Sequence, residues 1–204
     1  MMVTAVERLD KKRSRVLFDQ DLALVLYPQD LRQFSLAEGS ELSEEAYERL
    51  LGQVLKPRAR ERLLKTLMIS DKTERELIDL LHREGYPQEV VEDAMGMVKK
   101  HHYIDDEAYG SRYVQSQGKK KSRSQLIFAM QKKGFSRELI DELLEEHPVN
   151  EEEQMEKYLA QKGIDTGENL SREEYRKLAA KLARKGYSYE AIGGVLKVTG
   201  QDFD

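Results

Sequence analysis

The sequence predicts a mainly α-helical protein, with three tandem three-helix repeats in an elongated row behind a small N-terminal β-hairpin region. One phrase recurs three times, as LIDLLHREGYPQEVV, LIFAMQKKGFSRELI and LAAKLARKGYSYEAI, with its glycines about 50 residues apart. Composition agrees, because charged residues make up 35% and aromatic residues only 7% of the 204 residues. Strands favour aromatic and β-branched side chains, so this composition favours long amphipathic helices.

Residues 1–56 are predicted to form the β-hairpin region and a helix. Two β-rich runs, at residues 15–18 and 22–27, flank Asp19-Gln20-Asp21 in a pattern typical of a hairpin, and residues 3–9 supply a third strand. A short helical turn is predicted to end near Gly39. A further helix begins at Ser43 and is predicted to stop before Pro57, since proline interrupts a helix.

The three repeats are predicted at residues 57–104, 105–150 and 151–204. In each, the middle helix begins at a capping box, in which a hydroxyl and a carboxylate or amide satisfy two backbone N–H groups; these boxes start at Thr73, Ser122 and Ser171. Each middle helix ends at a glycine, because glycine adopts the left-handed conformation that terminates a helix; these are Gly85, Gly134 and Gly186. Units this small gain stability by stacking on their neighbours.

Several classes of function are excluded by residues that are missing. Cysteine is absent, so the chain has no disulfide, thiolate nucleophile or cysteine-bound zinc. We find no signal-peptide core or membrane-length apolar window, and therefore expect a soluble cytoplasmic protein. No phosphate-binding loop, nucleophile elbow or zinc-protease motif occurs, so we expect neither catalytic residues nor a cofactor. The stretch HHYIDD is an unpromising metal site, because adjacent histidines on a helix point apart.

Basic residues are concentrated in the second and third repeats, although the net charge is −4. Residues 115–137 carry no acid, and residues 138–156 carry no lysine or arginine. Residues 119–121 precede a predicted helix, whose first N–H groups favour anions. A basic run is commonly only a solvated face, and stacking platforms for bases are sparse, with Tyr109 and Tyr113 as candidates. The candidate partner- or DNA-binding residues are Lys119, Lys120, Lys121, Arg123, Lys132, Lys133, Arg137, Arg176, Lys177, Lys181, Arg184 and Lys185.

Two phrases resemble a known family. YIDDEAYGSRYV, at residues 103–114, resembles the I-D-D-x-x-[YF]-A-x-x-[YF]-V signature of the RecX family, bacterial regulators of the RecA recombinase. KSRSQLIFAMQKKGFSRELI, at residues 121–140, is similar to the family's K-G-x-x-x-I-x-x-x-L-x-x-K-G-I phrase. The resemblance spans roughly the whole chain. Four positions depart from it: Gly110 stands where the family usually has alanine, Ser122 where it often has glycine, Met130 where it often has leucine, and Phe135 where it often has isoleucine.

The resemblance implies a non-enzymatic, monomeric protein that binds in the groove of the RecA–DNA filament. Such a protein restrains the ATPase, strand-exchange and coprotease activities of RecA, with at most weak nonspecific contact to DNA. Two alternatives stay open: a regulator that binds DNA directly, as helix-turn-helix modules do, and a helical-repeat scaffold for some other protein. Salt-sensitive binding to DNA would favour the direct DNA binder. Salt-insensitive binding to an unrelated protein would favour the helical-repeat scaffold.

Overall fold

The computed structural model describes residues 1–164 and 170–197, which form two compact units divided after Asp105. Unit 1 (Met1–Asp105) contains a small sheet and helices, and unit 2 contains helices. The predicted class, mainly helical with a small N-terminal antiparallel sheet, is confirmed. The number of repeats and the four-part division of the chain stay predictions, and residues 198–204 of the third repeat lie outside the described residues.

The sheet of unit 1 is a three-stranded antiparallel meander of β1 (Val3–Arg8), β2 (Ser14–Phe18) and β3 (Ala23–Leu26) in that order. Successive side chains of a strand point to opposite faces of the sheet, which places Val16, Phe18, Leu24 and Leu26 on its buried face. These side chains share one apolar core with the helices of unit 1. The predicted hairpin and third strand are therefore observed, with each strand end within one residue of its predicted position.

The helices of unit 1 are α1 (Pro28–Gln33), α2 (Glu44–Leu50), α3 (Lys56–Leu67), α4 (Glu74–Arg83) and α5 (Gln88–Lys100). The predicted helix end before Pro57 is wrong, because a π-helical turn (Leu51–Leu55) joins α2 directly to α3. Proline lacks the N–H that an α-helix needs at that point, and one widened turn next to it lets the chain remain helical. Leu51 and Leu55 of this turn are buried, so the join is also part of the core.

The α4–α5 connection shows why its glycine is required. Gly85 has φ +83°, and a Cβ there would lie 2.2 Å from Cγ2 of Val25 on β3. The connection therefore lies against the sheet more closely than any side chain would allow. Thr73 caps α4 through the predicted capping box.

Unit 2 consists of α6 (Asp106–Gln117), α7 (Arg123–Lys133), α8 (Arg137–Glu146), α9 (Glu151–Ala160), α10 (Arg172–Arg184) and α11 (Tyr189–Val195). Among the described residues, one apolar cluster joins α6, α7 and α8, and another joins α9, α10 and α11. The predicted caps Ser122 and Ser171 accept a hydrogen bond from a backbone N–H of their own helix, and Ser136 and Ser188 cap α8 and α11 in the same way.

Two of the departures from the resembled family pattern lie together in unit 2. A Cβ on Gly110 would lie 2.4 Å from Cδ1 of Leu143 and 3.3 Å from Cε1 of Phe135. The space that the missing methyl group at position 110 leaves is therefore taken mainly by Leu143, with the Phe135 ring beside it. Glycine at this position permits the close approach of α6 and α8.

Candidate functional site

A groove in unit 2 gathers cations from two distant parts of the sequence. It has a volume of about 540 Å³ and lies between the start of α7 and the end of α10; we call it the α7–α10 groove. Among the residues that the structure describes, no acidic side chain lines it. The residues that define it are Lys120, Lys121, Ser124, Phe128, Arg184 and Lys185.

The groove is built by two serines at the start of α7. Ser122 caps α7 and also donates its hydroxyl to the carbonyl of Lys185 at 3.2 Å. Ser124 donates its hydroxyl to the carbonyl of Gly186 at 2.7 Å. Gly186 has φ +84°, and a Cβ there would lie 2.3 Å from the Ser124 Oγ. The glycine therefore ends α10 and also permits the close approach that brings the two basic segments together.

Helix α9 supports the same region from a different side. Glu151 accepts from the backbone N–H of Arg123 at 2.8 Å and from that of Ser188 at 3.1 Å, so one carboxylate satisfies the starts of α7 and α11. Gln154 donates to the carbonyls of Gly118 and Lys121. Burial, followed by the charge of Glu151, raises the pKa of the nearby Tyr187 phenol. These bonds hold the loop of residues 118–122 in place, which positions its lysines.

Phe128 is an aromatic residue that sequence reasoning missed. Its side chain is 70% exposed and it lies on the wall of the α7–α10 groove. Helical periodicity could have identified it, because Leu126 and Met130 define the buried face of α7 and Phe128 falls between them. The two tyrosines proposed from the sequence are less available: Tyr109 and Tyr113 pack against the apolar cluster, and the Lys133 ammonium lies 5.5 and 5.6 Å from their ring centroids.

The other predicted cations do not all meet in the groove. Arg137 pairs with Asp141 at 3.4 Å, and Lys177 pairs with Glu173 at 2.7 Å. Lys181 lies over the ring of Tyr158, as does Lys185.

Other cations stand apart from these pairs. Within the described ranges, Lys119, Lys132 and Arg176 are exposed and form no ion pair. Arg123 reaches the carbonyl of Leu144 at 3.4 Å. Of the twelve predicted residues, the structure thus brings Lys120, Lys121, Arg184 and Lys185 together.

The histidines form no metal cluster in the part of the chain that the structure describes. His101 stacks on Tyr103 with ring centroids 5.6 Å apart, and His102 has a left-handed backbone with φ 53°. His147 contacts the hydroxyl of Ser111 at 2.9 Å and the amide of Gln115 at 3.4 Å, which joins the end of α8 to α6. A search of the described helices finds none with the length and apolarity of a membrane span.

Comparison with known proteins extends over nearly the whole chain. Regulatory protein RecX of Clostridium botulinum (strain Eklund 17B / Type B) is 25% identical over 195 residues, which cover 94% of this chain and 92% of the relative. Regulatory protein RecX of Caldanaerobacter subterraneus subsp. tengcongensis is 24% identical over 202 residues, covering 98% of this chain and 100% of the relative. No family model matches the sequence.

The fold is also that of solved structures. A crystal structure of regulatory protein RecX covers 93% of this chain and 96% of its own, with a TM-score of 0.59 and 24% identity. The crystal structure of RecX from Lactobacillus salivarius has the same TM-score of 0.59 at 18% identity, covering 69% of this chain and 94% of its own.

Fold and site together define a mainly helical protein with a small sheet and a cation-lined groove. Its sequence relatives and its structural neighbours carry the same name, regulatory protein RecX. The resemblance to the RecX family that the two sequence phrases predict is confirmed.

Proposed function

We propose that this chain regulates RecA by binding in the groove of the RecA–DNA filament. There it restrains the ATPase, strand-exchange and coprotease activities of RecA. Similarity to RecX proteins over nearly the whole length supports the partner. The observation that carries the proposal is the α7–α10 groove, where four cations from two distant segments of unit 2 line one surface on which no described acidic residue lies.

The mechanism follows from the charges. Lys120, Lys121, Arg184 and Lys185 meet phosphates or the acidic surface of the filament. The exposed Lys119, Lys132 and Arg176, also predicted from the sequence, add weaker contacts. Several weak contacts in one chain give avidity without a single tight site. Binding that depends on such cations weakens as salt increases.

One observation favours a second candidate, direct binding to single-stranded DNA. The exposed ring of Phe128 lies beside these cations. Aromatic rings that accept base stacking within a basic groove are the usual elements of a single-strand site. In that case the protein binds bare DNA, and Phe128 contributes to the affinity.

The test is inhibition of ATP hydrolysis by RecA assembled on single-stranded DNA. We expect the wild-type chain to inhibit, and Lys120→Glu/Lys121→Glu to require about a tenfold higher concentration, because reversed charges repel the same surface. The matched control is Lys162→Glu/Lys197→Glu, which changes the charge equally at exposed positions of unit 2 outside the groove. Equal inhibition by both variants would refute the groove assignment.

Binding to bare single-stranded DNA, measured in parallel at two salt concentrations, separates the two candidates. Inhibition at protein levels that leave bare DNA unbound supports a filament-groove regulator. Unchanged ATP hydrolysis, with salt-sensitive DNA binding that Phe128→Ala weakens, supports the direct DNA binder. If neither effect is seen, the chain is a helical scaffold for another partner.

A further inference from the structure

Unit 1 contains a charged cleft that the proposed function does not use. It has a volume of about 640 Å³ and lies between the β1–β2 turn (residues 10–13) and α3; we call it the turn cleft. A second cleft of about 390 Å³ lies between the same turn and α1. Lys11, Lys12, Tyr27 and Arg58 line both clefts, so the two are continuous across the turn.

The β1–β2 turn, which lines both clefts, is stabilised by hydrogen bonds among its own residues. Asp10 accepts from the backbone N–H groups of Lys12 at 2.7 Å and Arg13 at 2.8 Å, and from the Arg13 Nε at 2.8 Å. The bond from the Lys12 N–H and that from the Arg13 side chain lower the pKa of Asp10. Arg8 also donates to the Asp10 carbonyl at 3.1 Å. A turn closed in this way presents Lys11 and Lys12 to the clefts at little further cost in conformational entropy.

The acids of the turn cleft already have cationic partners. Glu61 pairs with Lys65 at 2.6 Å, Glu84 with Arg62 at 2.7 Å, and Asp10 with Arg13 at 2.8 Å.

The arginine shared by the two clefts is also engaged, since Arg58 forms two 2.9 Å bonds with the buried Asp30. Lys11, Lys12 and Arg32, by contrast, form no ion pair within the described part of the chain. These three cations therefore give the two clefts an uncompensated positive charge, which fits an extended anionic ligand.

The lining indicates which anion fits. Carboxylates of Glu61 and Glu84 face the larger cleft, where they can accept hydrogen bonds from the backbone N–H groups of a peptide, whereas a sugar-phosphate backbone has no such donors. The cleft also lacks a free aromatic platform for bases: the Tyr27 ring carries the Arg58 guanidinium at 4.4 Å, and Tyr86 is half-buried. An acidic peptide suits both features, because its carboxylates can meet the three free cations while its backbone N–H groups donate to the glutamates.

We propose that the turn cleft and the cleft beside α1 bind an acidic peptide segment of a partner protein. Lys11, Lys12 and Arg32 receive its carboxylates. This site is separate from the α7–α10 groove, and the proposal does not depend on the regulation of RecA.

The experiment is fluorescence anisotropy of a short labelled peptide of glutamate and aspartate titrated with the full chain, with labelled oligo-dT in a parallel titration. We expect the wild-type chain to bind the peptide, and Lys11→Glu/Lys12→Glu to bind it about tenfold more weakly, because like charges then oppose each other. Lys11→Ala/Lys12→Ala should give a smaller loss, since it removes attraction without adding repulsion.

The matched control is Arg49→Glu/Lys100→Glu, which changes the charge equally at exposed positions of unit 1 that line neither cleft. It should retain the wild-type affinity for the peptide. Circular dichroism checks that every variant is folded. The proposal is overturned if the wild-type chain does not bind the peptide, if both double-glutamate variants lose affinity equally, or if the cleft residues support binding of oligo-dT and not of the peptide.

Discussion

Tyr86 shows how one residue responds to both burial and charge. It follows Gly85 at the α4–α5 connection and packs against the core of unit 1. Burial raises the pKa of its phenol from 10.0 to about 12, against the opposing effect of Arg58, with Glu84 and Tyr27 raising it further. The neutral phenol is therefore the form that the folded protein favours.

This shift predicts a stability change at high pH. The unfolded chain loses the Tyr86 proton near pH 10, whereas the folded chain holds it until about pH 12. Between these values unfolding releases a proton, so the free energy of unfolding should fall as pH rises. Urea denaturation at pH steps across this range measures the slope. For the Tyr86→Phe variant, which has no phenolic proton at this position, the free energy of unfolding should fall less steeply with pH. Identical slopes in the two proteins would contradict the assigned pKa.

At the scale of elements, a buried ion pair joins α1 to α3. Asp30 is 1% exposed, and its two carboxylate oxygens accept from the Arg58 guanidinium at 2.9 Å each. The same carboxylate accepts from the backbone N–H of Tyr27 at 2.9 Å, which completes the start of α1. One side chain thus completes the start of α1 and binds Arg58 of α3, whose guanidinium also lies over the Tyr27 ring.

We expect Asp30→Asn to lower the free energy of unfolding by about 3 kcal/mol, since it leaves the Arg58 charge without its buried partner. Chemical denaturation of the full chain measures this change. Glu61→Gln is the control, because the paired side chains of Lys65 and Glu61 are 66% and 63% exposed. Exposed pairs of this kind contribute about 0.5 kcal/mol to the free energy of unfolding. If the two variants lost similar amounts of unfolding free energy, the buried pair would stabilise the fold no more than the exposed pair does.

At the scale of the whole molecule, unit 1 is built around one apolar core, whereas the described residues of unit 2 form two apolar clusters. The core of unit 1 takes residues from the sheet, from α2 and from α3 to α5, so it extends across the predicted boundary between residues 56 and 57. A segment ending at residue 56 would leave the buried face of the sheet without Leu63, Leu77 and Leu81. Division after Asp105 leaves this core intact.

A fragment of residues 1–105 should therefore fold by itself and unfold in a single cooperative transition. A fragment of residues 1–56 should not, because it loses the helices that cover the sheet. Thermal melts followed by circular dichroism compare the two. A cooperative melt of the shorter fragment would instead favour the boundary predicted from the sequence.

Much of the local structure follows from neighbouring residues. The capping boxes at Thr73, Ser122 and Ser171 begin their helices at the expected residues, and Gly134 and Gly186 adopt the positive φ expected of them. The candidate site was predictable only in part. Its lysines were visible as a basic run, but their association with Arg184 and Lys185 depends on hydrogen bonds between residues more than 60 positions apart.

The sequence by itself determined the helical class, the small sheet and the helix starts and stops that caps and glycines mark, because caps, glycines and alternating apolar residues act within one turn or one strand. It also determined the resemblance to the RecX family, since that resides in contiguous phrases. Only the tertiary structure decided that the helix passes Pro57, that Asp30 meets Arg58, and that Phe128 lies exposed among four cations. These features depend on which segments, distant in sequence, pack against each other. That packing is set by the volume and burial of the whole core, and no short stretch of sequence encodes it.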